Sequence, residues 1–190
     1  NGMGSSSTSS RSRRSRRSFT GLMRAVPVTK LHGTHNDFIL IDERIARVAD
    51  YQRFAKIVCD RRAGVGADGL LIVLHSANAD VRMRILNADG SQAEMCANGV
   101  RCLARYLYDQ GAPDDLRVET DAGIVHTHVL GELERYDGVR VKLGVPLVER
   151  LPDLADALFV SVGNPHIVIF PETLDDLDLD VIGPQLSSKR

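Results

Sequence analysis

The sequence predicts an α+β fold, and three observations carry that expectation. Apolar and polar residues alternate in short runs such as Val81-Arg-Met-Arg-Ile85, the period of a half-buried strand. Two stretches instead repeat apolar residues at i, i+3, i+4 and i+7, the stripe of a buried helical face: Tyr51, Phe54, Ala55, Val58 and Val100, Leu103, Ala104, Leu107. The resulting order is β-β-α-β-β-α-β-β-β, with strands and helices that do not alternate one for one.

The chain has 190 residues, 43% of them hydrophobic, enough for one domain of ordinary size plus a remainder. Its formal net charge of −1 hides an asymmetry. Residues 1–24 hold six Arg and no acid, leaving 18 basic against 25 acidic residues elsewhere, a net of −7. That balance argues against nucleic acid or a membrane as partner. No apolar run approaches the ~20 residues of a membrane helix. The three cysteines, Cys59, Cys96 and Cys102, are odd in number and lack a CxxC pattern, so neither a disulfide framework nor a thiolate metal site is expected.

Residues 1–22 form a Ser/Arg-rich segment that cannot bury apolar surface, so disorder is expected there. Met23 is then the expected start of the functional protein, in the cytoplasm. A plastid transit segment is the alternative, since residues 1–22 are Arg- and Ser-rich and acid-free. A phosphate-binding arm is a third reading.

Ala25 to His32 and Phe38 to Asp42 read as strands around the polar turn Gly33-Thr-His-Asn-Asp37. A turn alone would explain Asn36. His32 and His35 lack a third ligand, so no metal site is expected. Val48 to Cys59 is a helix, with Cys59 packed at its end. Gly64-Val-Gly-Ala-Asp-Gly69 follows a helix and precedes the strand Leu70 to His75, the wrong order for a dinucleotide fingerprint. It reads as a tight backbone path. Asp89-Gly90 supplies the turn after the strand that starts at Val81.

Asn98 reads as the N-cap of a helix running from Gly99 to Gln110 and closed by Gly111. Cys96 thus lies just before a helix N-terminus, where unpaired N–H groups favour a thiolate and can hold a carboxylate. A free Cys is more often a small buried hydrophobe. Cys102, on the apolar stripe, fits that description; Cys96, in a polar Asn- and Gly-rich flank, does not. Leu116 to Asp121, Ile124 to Leu130 and Val139 to Leu143 are further strands, joined at Ala122-Gly123 and Asp137-Gly138. His126 and His128 share one strand face as exposed side chains. Residues 144–157 read as a connection. Phe159 to Val162 and Ile167 to Phe170 flank Gly163-Asn-Pro-His166, where Pro165 implies a bend or bulge. The acidic stretch 172–190 shows no closing element.

Asn87-Ala-Asp-Gly-Ser91 followed by Met95-Cys-Ala-Asn-Gly-Val-Arg-Cys102 resembles the first active-site signature of diaminopimelate epimerase. Lys30-Leu-His-Gly-Thr-His-Asn-Asp-Phe38, Arg61-Arg-Ala-Gly-Val-Gly-Ala-Asp-Gly69 and Gly163-Asn-Pro-His166 agree in the same order, and the likeness runs from about Val28 to Leu186. The resemblance implies two similar domains, each a mixed sheet curled around a central helix. Residues 23–145 would form the first and residues 146–190 the start of the second. It implies interconversion of LL- and meso-diaminopimelate, in the lysine and peptidoglycan pathway, by two thiols without metal, pyridoxal phosphate or any other cofactor. The full-length protein would be a homodimer.

The same resemblance makes Cys96 the catalytic thiol. It places Asn36, Asn87, Asn98, Asn164 and the N–H of Ala97 on the substrate, and His166 beside the thiols to tune them. His35 and Ala97 stand where the family usually has Gly. Gly69 stands where some members bind substrate through a polar side chain, so no role passes to it. The family's second Cys lies in a Gly-rich motif that nothing in 167–190 matches, so these 190 residues are expected to be a fragment that does not epimerise alone. The alternatives are another isomerase of the same fold, proline-racemase-like or phenazine-biosynthesis-like, and a non-catalytic fragment carrying half a site.

Overall fold

The structure, a computed structural model, describes residues 25–131, 138–151, 157–173, 175 and 177–187. The Ser/Arg segment, Met23 and Asp137 lie outside the described residues. Strands β1 (Thr29–Gly33), β2 (Asn36–Asp42), β3 (Gly69–Leu74), β4 (Val81–Asn87), β5 (Gln92–Ala93), β6 (Asp115–Thr120), β7 (Gly123–Val129) and β8 (Val139–Lys142) form one sheet among the described residues. Its order is β1-β2-β3-β4-β6-β7-β8, with β5 also paired to β4. The β2/β3 and β4/β6 pairs are parallel and the others antiparallel, so the sheet is mixed. Helix α1 (Tyr51–Val58) crosses between β2 and β3, and α2 (Ala97–Asp109) between β4 and β6.

The apolar runs Phe38-Ile-Leu-Ile41 and Leu70-Leu-Ile-Val73 have no polar face because both faces of the sheet are covered. Their alternation sorts them cleanly. Phe38, Leu40, Leu71 and Val73 point to one core with Val100, Leu103 and Leu107 of α2. Ile39, Ile41, Leu70 and Ile72 point to the other with Ala55 and Val58 of α1. Helix α2 touches β1 at one edge of the sheet, β7 and β8 at the other, and β2, β3 and β4 between them. A sheet whose two edges both reach one helix is curled around it. The expected α+β fold, with a mixed sheet curled around a central helix, is therefore observed.

A second sheet begins at residue 147. Strands β9 (Leu147–Arg150), β10 (Ala157–Ser161) and β11 (Pro165–Ile169) pair antiparallel in the order β11-β10-β9, followed by α3 (Leu179–Ser187). Four sequence expectations need correction here. Residues 144–157 include a strand, β9. Pro165 is not a bulge: it opens β11, opposite Ser161, across a turn in which Gly163 takes φ +104°. The tail does contain a helix, α3, with Pro184 inside it. Asn98 is not an N-cap: Cys96 takes that position with an extended φ of −143°, and Asn98 is the second residue of α2.

No helix among the described residues is long and apolar enough to cross a membrane.

Candidate active site

Register gathers the motifs at one end of the curled sheet. Phe38 pairs with Gly69, and Gly69 with Asn87. Asn36 opens β2, Gly69 opens β3 and Asn87 closes β4, so three separate sequence motifs end side by side. Gly69 has no room for a side chain, since a β-carbon there would stand 2.8 Å from the Leu86 carbonyl oxygen. The Asp89-Gly90 turn closes as expected: Gly90 takes φ +81°, and Asn87 N donates to the Ser91 carbonyl at 2.8 Å.

The N-terminus of α2 arrives at the same place. The half-buried Cys96 thiol lies 3.7 Å from Asn36 Oδ1. The first intrahelical bond runs from Val100 N to the Cys96 carbonyl, so the N–H groups of Ala97, Asn98 and Gly99 precede it. Among the described residues no side chain caps this end, and its first turn holds no acid. An uncapped 13-residue helix presents donors and a positive dipole end there. The helix can sit this close to the sheet because of glycine. A β-carbon at Gly99 would stand 2.9 Å from Leu71 Cδ2, and one at Gly33 would stand 3.2 Å from both the Asn98 carbonyl oxygen and Cys102 Sγ.

The turn between β1 and β2 consists of Thr34 and His35, at φ +54° and +64°. Two positive φ values in a two-residue hairpin define a type I′ turn. His35 thus keeps the left-handed backbone that a glycine would take more readily. Arg101 donates to Thr34 Oγ1 at 2.8 Å and also to Asn98 Oδ1, tying the turn to the first turn of α2.

Beneath Asn36 lies a charged lattice. Asn36 Nδ2 donates to Asp68 Oδ2 at 2.7 Å. Asp37 N donates to Asp68 Oδ2 at 3.1 Å, and Asp68 N returns a bond to Asp37 Oδ1 at 3.0 Å. Arg61 spans both carboxylates, at 2.7 and 2.8 Å. Lys30 adds a 2.7 Å bond to Asp37 and another to the Gly66 carbonyl. The Arg61 guanidinium, then Lys30, hold the Asp37 carboxyl well below the usual carboxylate range.

The profile of the diaminopimelate epimerase family matches residues 28–148, well over half of the chain. The chain belongs to that family. It is 43% identical to the diaminopimelate epimerase of Desulfitobacterium hafniense, over 84% of this chain and 65% of that protein. It is 43% identical to that of Pelotomaculum thermopropionicum with the same coverage, and 35% to that of Brachyspira hyodysenteriae. The chain thus spans 65% of the length of the first two curated relatives. Among solved structures it resembles a Bacillus anthracis phenazine biosynthesis protein of the PhzF family (TM-score 0.58, 20% identity, 79% of this chain and 57% of that one). It also resembles a probable proline racemase from Agrobacterium radiobacter K84 (TM-score 0.59, 14% identity, 84% and 53%). At those identities the likeness is one of fold.

In this member of the diaminopimelate epimerase family the three thiols differ sharply. Cys59 and Cys102 are buried, and burial pushes both thiols up, Cys102 to about 11. Cys96 alone among the three is only half-buried, at a helix N-terminus. Asn87 is exposed and its amide donates to Ser91 Oγ at 2.9 Å. Asn164 sits in the β10–β11 turn, next to Gly163, whose β-carbon position lies 3.1 Å from Met95 Cε. That turn therefore rests on the residue preceding Cys96. His166 is exposed on β11 and lines a cavity of about 420 Å³ with Phe159, Ile182 and Leu186; no hydrogen bond among the described residues joins it to Cys96.

Neither His32 nor His35 belongs to a three-ligand cluster among the described residues; the one such group is Asp114, Asp115 and His128. His126 is exposed as expected, whereas His128 is half-buried, with Nδ1 3.0 Å from Asp115. Sequence reasoning missed Asp37, Arg61 and Asp68. Their signal was present, since Asp37 follows Asn36, Arg61 precedes the Gly-rich loop and Asp68 lies within it, but only the β2/β3 register brings them together.

Proposed function

We propose that Cys96 is one of two thiols in a cofactor-independent epimerase that interconverts LL- and meso-diaminopimelate. The observation that carries this reading is the half-buried Cys96 thiol at the uncapped N-terminus of α2, 3.7 Å from Asn36 Oδ1. The N–H groups of Ala97, Asn98 and Gly99 are suited to the substrate α-carboxylate, because they are fixed donors at a positive helix end. The side chains of Asn36, Asn87, Asn98 and Asn164 would hold the remaining polar groups at the reacting carbon. His166 would tune the thiols from the β10–β11 side.

The chemistry removes the α-proton to sulfur on one face of the carbon and delivers a proton from a second thiol on the other. The carbanion has no cofactor to spread its charge, so donors fixed in a dry site must stabilise it. Cys59 and Cys102 are buried and unsuited to the second role. Inversion therefore calls for another thiol facing Cys96 from the second sheet's side. The assembled enzyme would act in the cytoplasm as a homodimer, in lysine and peptidoglycan precursor synthesis.

Incubation with diaminopimelate in deuterium oxide tests this. Deuterium should enter the α-carbon, and Cys96→Ser should abolish its entry. Exchange that survives Cys96→Ser would remove Cys96 from the chemistry. Binding without any exchange would favour a non-catalytic half-site.

A further inference from the structure

We infer that Asp68 is a positioning residue that decides which atom of the Asn36 amide faces the Cys96 sulfur. The inference rests on Cys96 being the thiol of the site. An ionised carboxylate offers only acceptors. Asp68 Oδ2 takes Asn36 Nδ2 at 2.7 Å and the Asp37 N–H at 3.1 Å, while Oδ1 takes Arg61 at 2.8 Å. Turning the Asn36 amide over would set its oxygen against the Asp68 oxygen, acceptor to acceptor. The amide is thereby locked with Oδ1 toward Cys96, at 3.7 Å.

That orientation has a chemical consequence. A carbonyl oxygen accepts from S–H but offers nothing to a thiolate. The N-terminus of α2, by contrast, brings the N–H groups of Ala97, Asn98 and Gly99 to the same place. The orientation of the Asn36 amide therefore decides whether the sulfur meets an acceptor or a further donor there. Asp68 touches neither the sulfur nor the reacting carbon in this account. It acts through Asn36, and its own place is fixed by Arg61 and by the reciprocal bonds with Asp37.

The experiment is alkylation of Cys96 by iodoacetamide in the 190-residue chain at one fixed pH, resolved by site with mass spectrometry. Asp68→Ala frees the amide to turn and present an N–H to the sulfur. The rate should rise about tenfold, the scale of one hydrogen bond to a charged group. Asp68→Asn, which keeps an acceptor for Asn36, should stay near wild type. In an Asn36→Ala background, Asp68→Ala should change the rate by less than about twofold, since coupled sites are non-additive. An unchanged rate in Asp68→Ala, or full additivity in the double variant, overturns the inference.

Nuclear magnetic resonance of the Asn36 side-chain amide gives a reading that does not need Asp68→Ala to fold. Its Nδ2 protons should move on Asp68→Asn and stay in place on Cys96→Ala; the reverse pattern overturns the inference. Neither readout requires turnover, so a failure here is distinct from a failure of deuterium entry into substrate.

Discussion

Gly163 rests on Met95: a β-carbon on Gly163 would stand 3.1 Å from Met95 Cε and 3.3 Å from Met95 Cβ. This contact joins the turn of the second sheet to the residue that precedes Cys96. It also fixes what position 163 tolerates, because Gly163 takes φ +104°. Gly163→Ala should destabilise the chain by about 1–2 kcal/mol from backbone strain, with a further steric part. The same β-carbon would stand 3.0 Å from Ala122 Cβ. Urea unfolding of Gly163→Ala alone, and in a Met95→Ala, Ala122→Gly background referred to that background by itself, separates the two. The steric part should fall in the combined variant and the strain should stay. Stability equal to wild type in the single variant would sink the argument.

The three thiols should separate by reactivity. Cys96 should be alkylated first, and Cys59 and Cys102, buried and pushed up by burial, about a hundredfold more slowly, through local opening. Cys59→Ala and Cys102→Ala should each cost about 1–2 kcal/mol of stability as small core truncations. Site-resolved labelling decides the first point and denaturant unfolding the second. Equal labelling of Cys96 and Cys102 in the folded chain would contradict the burial difference.

The β1–β2 turn is strained where the side chains sit. His35 holds φ +64°, a left-handed backbone costing a non-glycine residue about 1–2 kcal/mol. Glycine returns part of that gain through its freer unfolded chain. His35→Gly should therefore stabilise by about 0.5–1 kcal/mol. Thr34 is the poorer target, since its hydroxyl accepts from Arg101. A fall in melting temperature on His35→Gly would mean that the imidazole contributes more than the strain costs.

Much of the fold was legible because burial imposes period. The α2 stripe and the alternation of β4 survive in the sequence because one side of each must be dry. β9 was not legible: Leu147-Val-Glu-Arg150 is exposed throughout and follows Pro146, so neither alternation nor propensity marks it. α3 was hidden by Gly183-Pro184, a pair that ordinarily breaks a helix. The Asn98 error has a physical source. Local preference favours Asn over Cys at an N-cap, but α2 starts earlier, where Cys96 takes the extended cap conformation. The place of Cys96 at a helix N-terminus, outside the buried stripe that holds Cys102, was legible from its polar flank. The lattice under Asn36 was not, because hydrogen bonds between residues 31 apart in sequence depend on strand register.

Asn87 offers a test of the proposed substrate contacts. Its amide donates to Ser91 Oγ at 2.9 Å, and among the described residues no hydrogen bond takes its oxygen at this exposed strand end. A lost hydrogen bond to a charged group costs about 1.5–3 kcal/mol, so Asn87→Ala should weaken substrate handling roughly 10- to 150-fold. Isothermal titration with diaminopimelate, or the rate of deuterium entry, gives the measure. Ser91→Ala should have a much smaller effect if the amide oxygen does the binding. Wild-type behaviour of Asn87→Ala would remove it from the site.

Acid should act in part through Asp37. Its carboxyl is held well below the ordinary value of 3.8 by Arg61 and then Lys30, with burial opposing them. The unfolded chain therefore takes up this proton at a higher pH than the folded one, and protonation favours unfolding. The stabilisation is complete above the ordinary aspartate value and is lost as pH falls below it, toward and through the depressed folded value. Asp37→Asn should be less stable than wild type near neutrality, and the gap should narrow steadily as pH falls from about 4 to about 2 without closing there. Asp42, Asp60, Asp80 and Asp89 are also lowered, but their contribution is common to both chains and cancels in the difference. Because Arg61 is 58% exposed, the gap should narrow with added salt. Urea unfolding of both proteins across this range is the measurement. Stability curves that stay parallel down to about pH 2 would show that the Asp37 carboxylate does not hold the turn beneath Asn36.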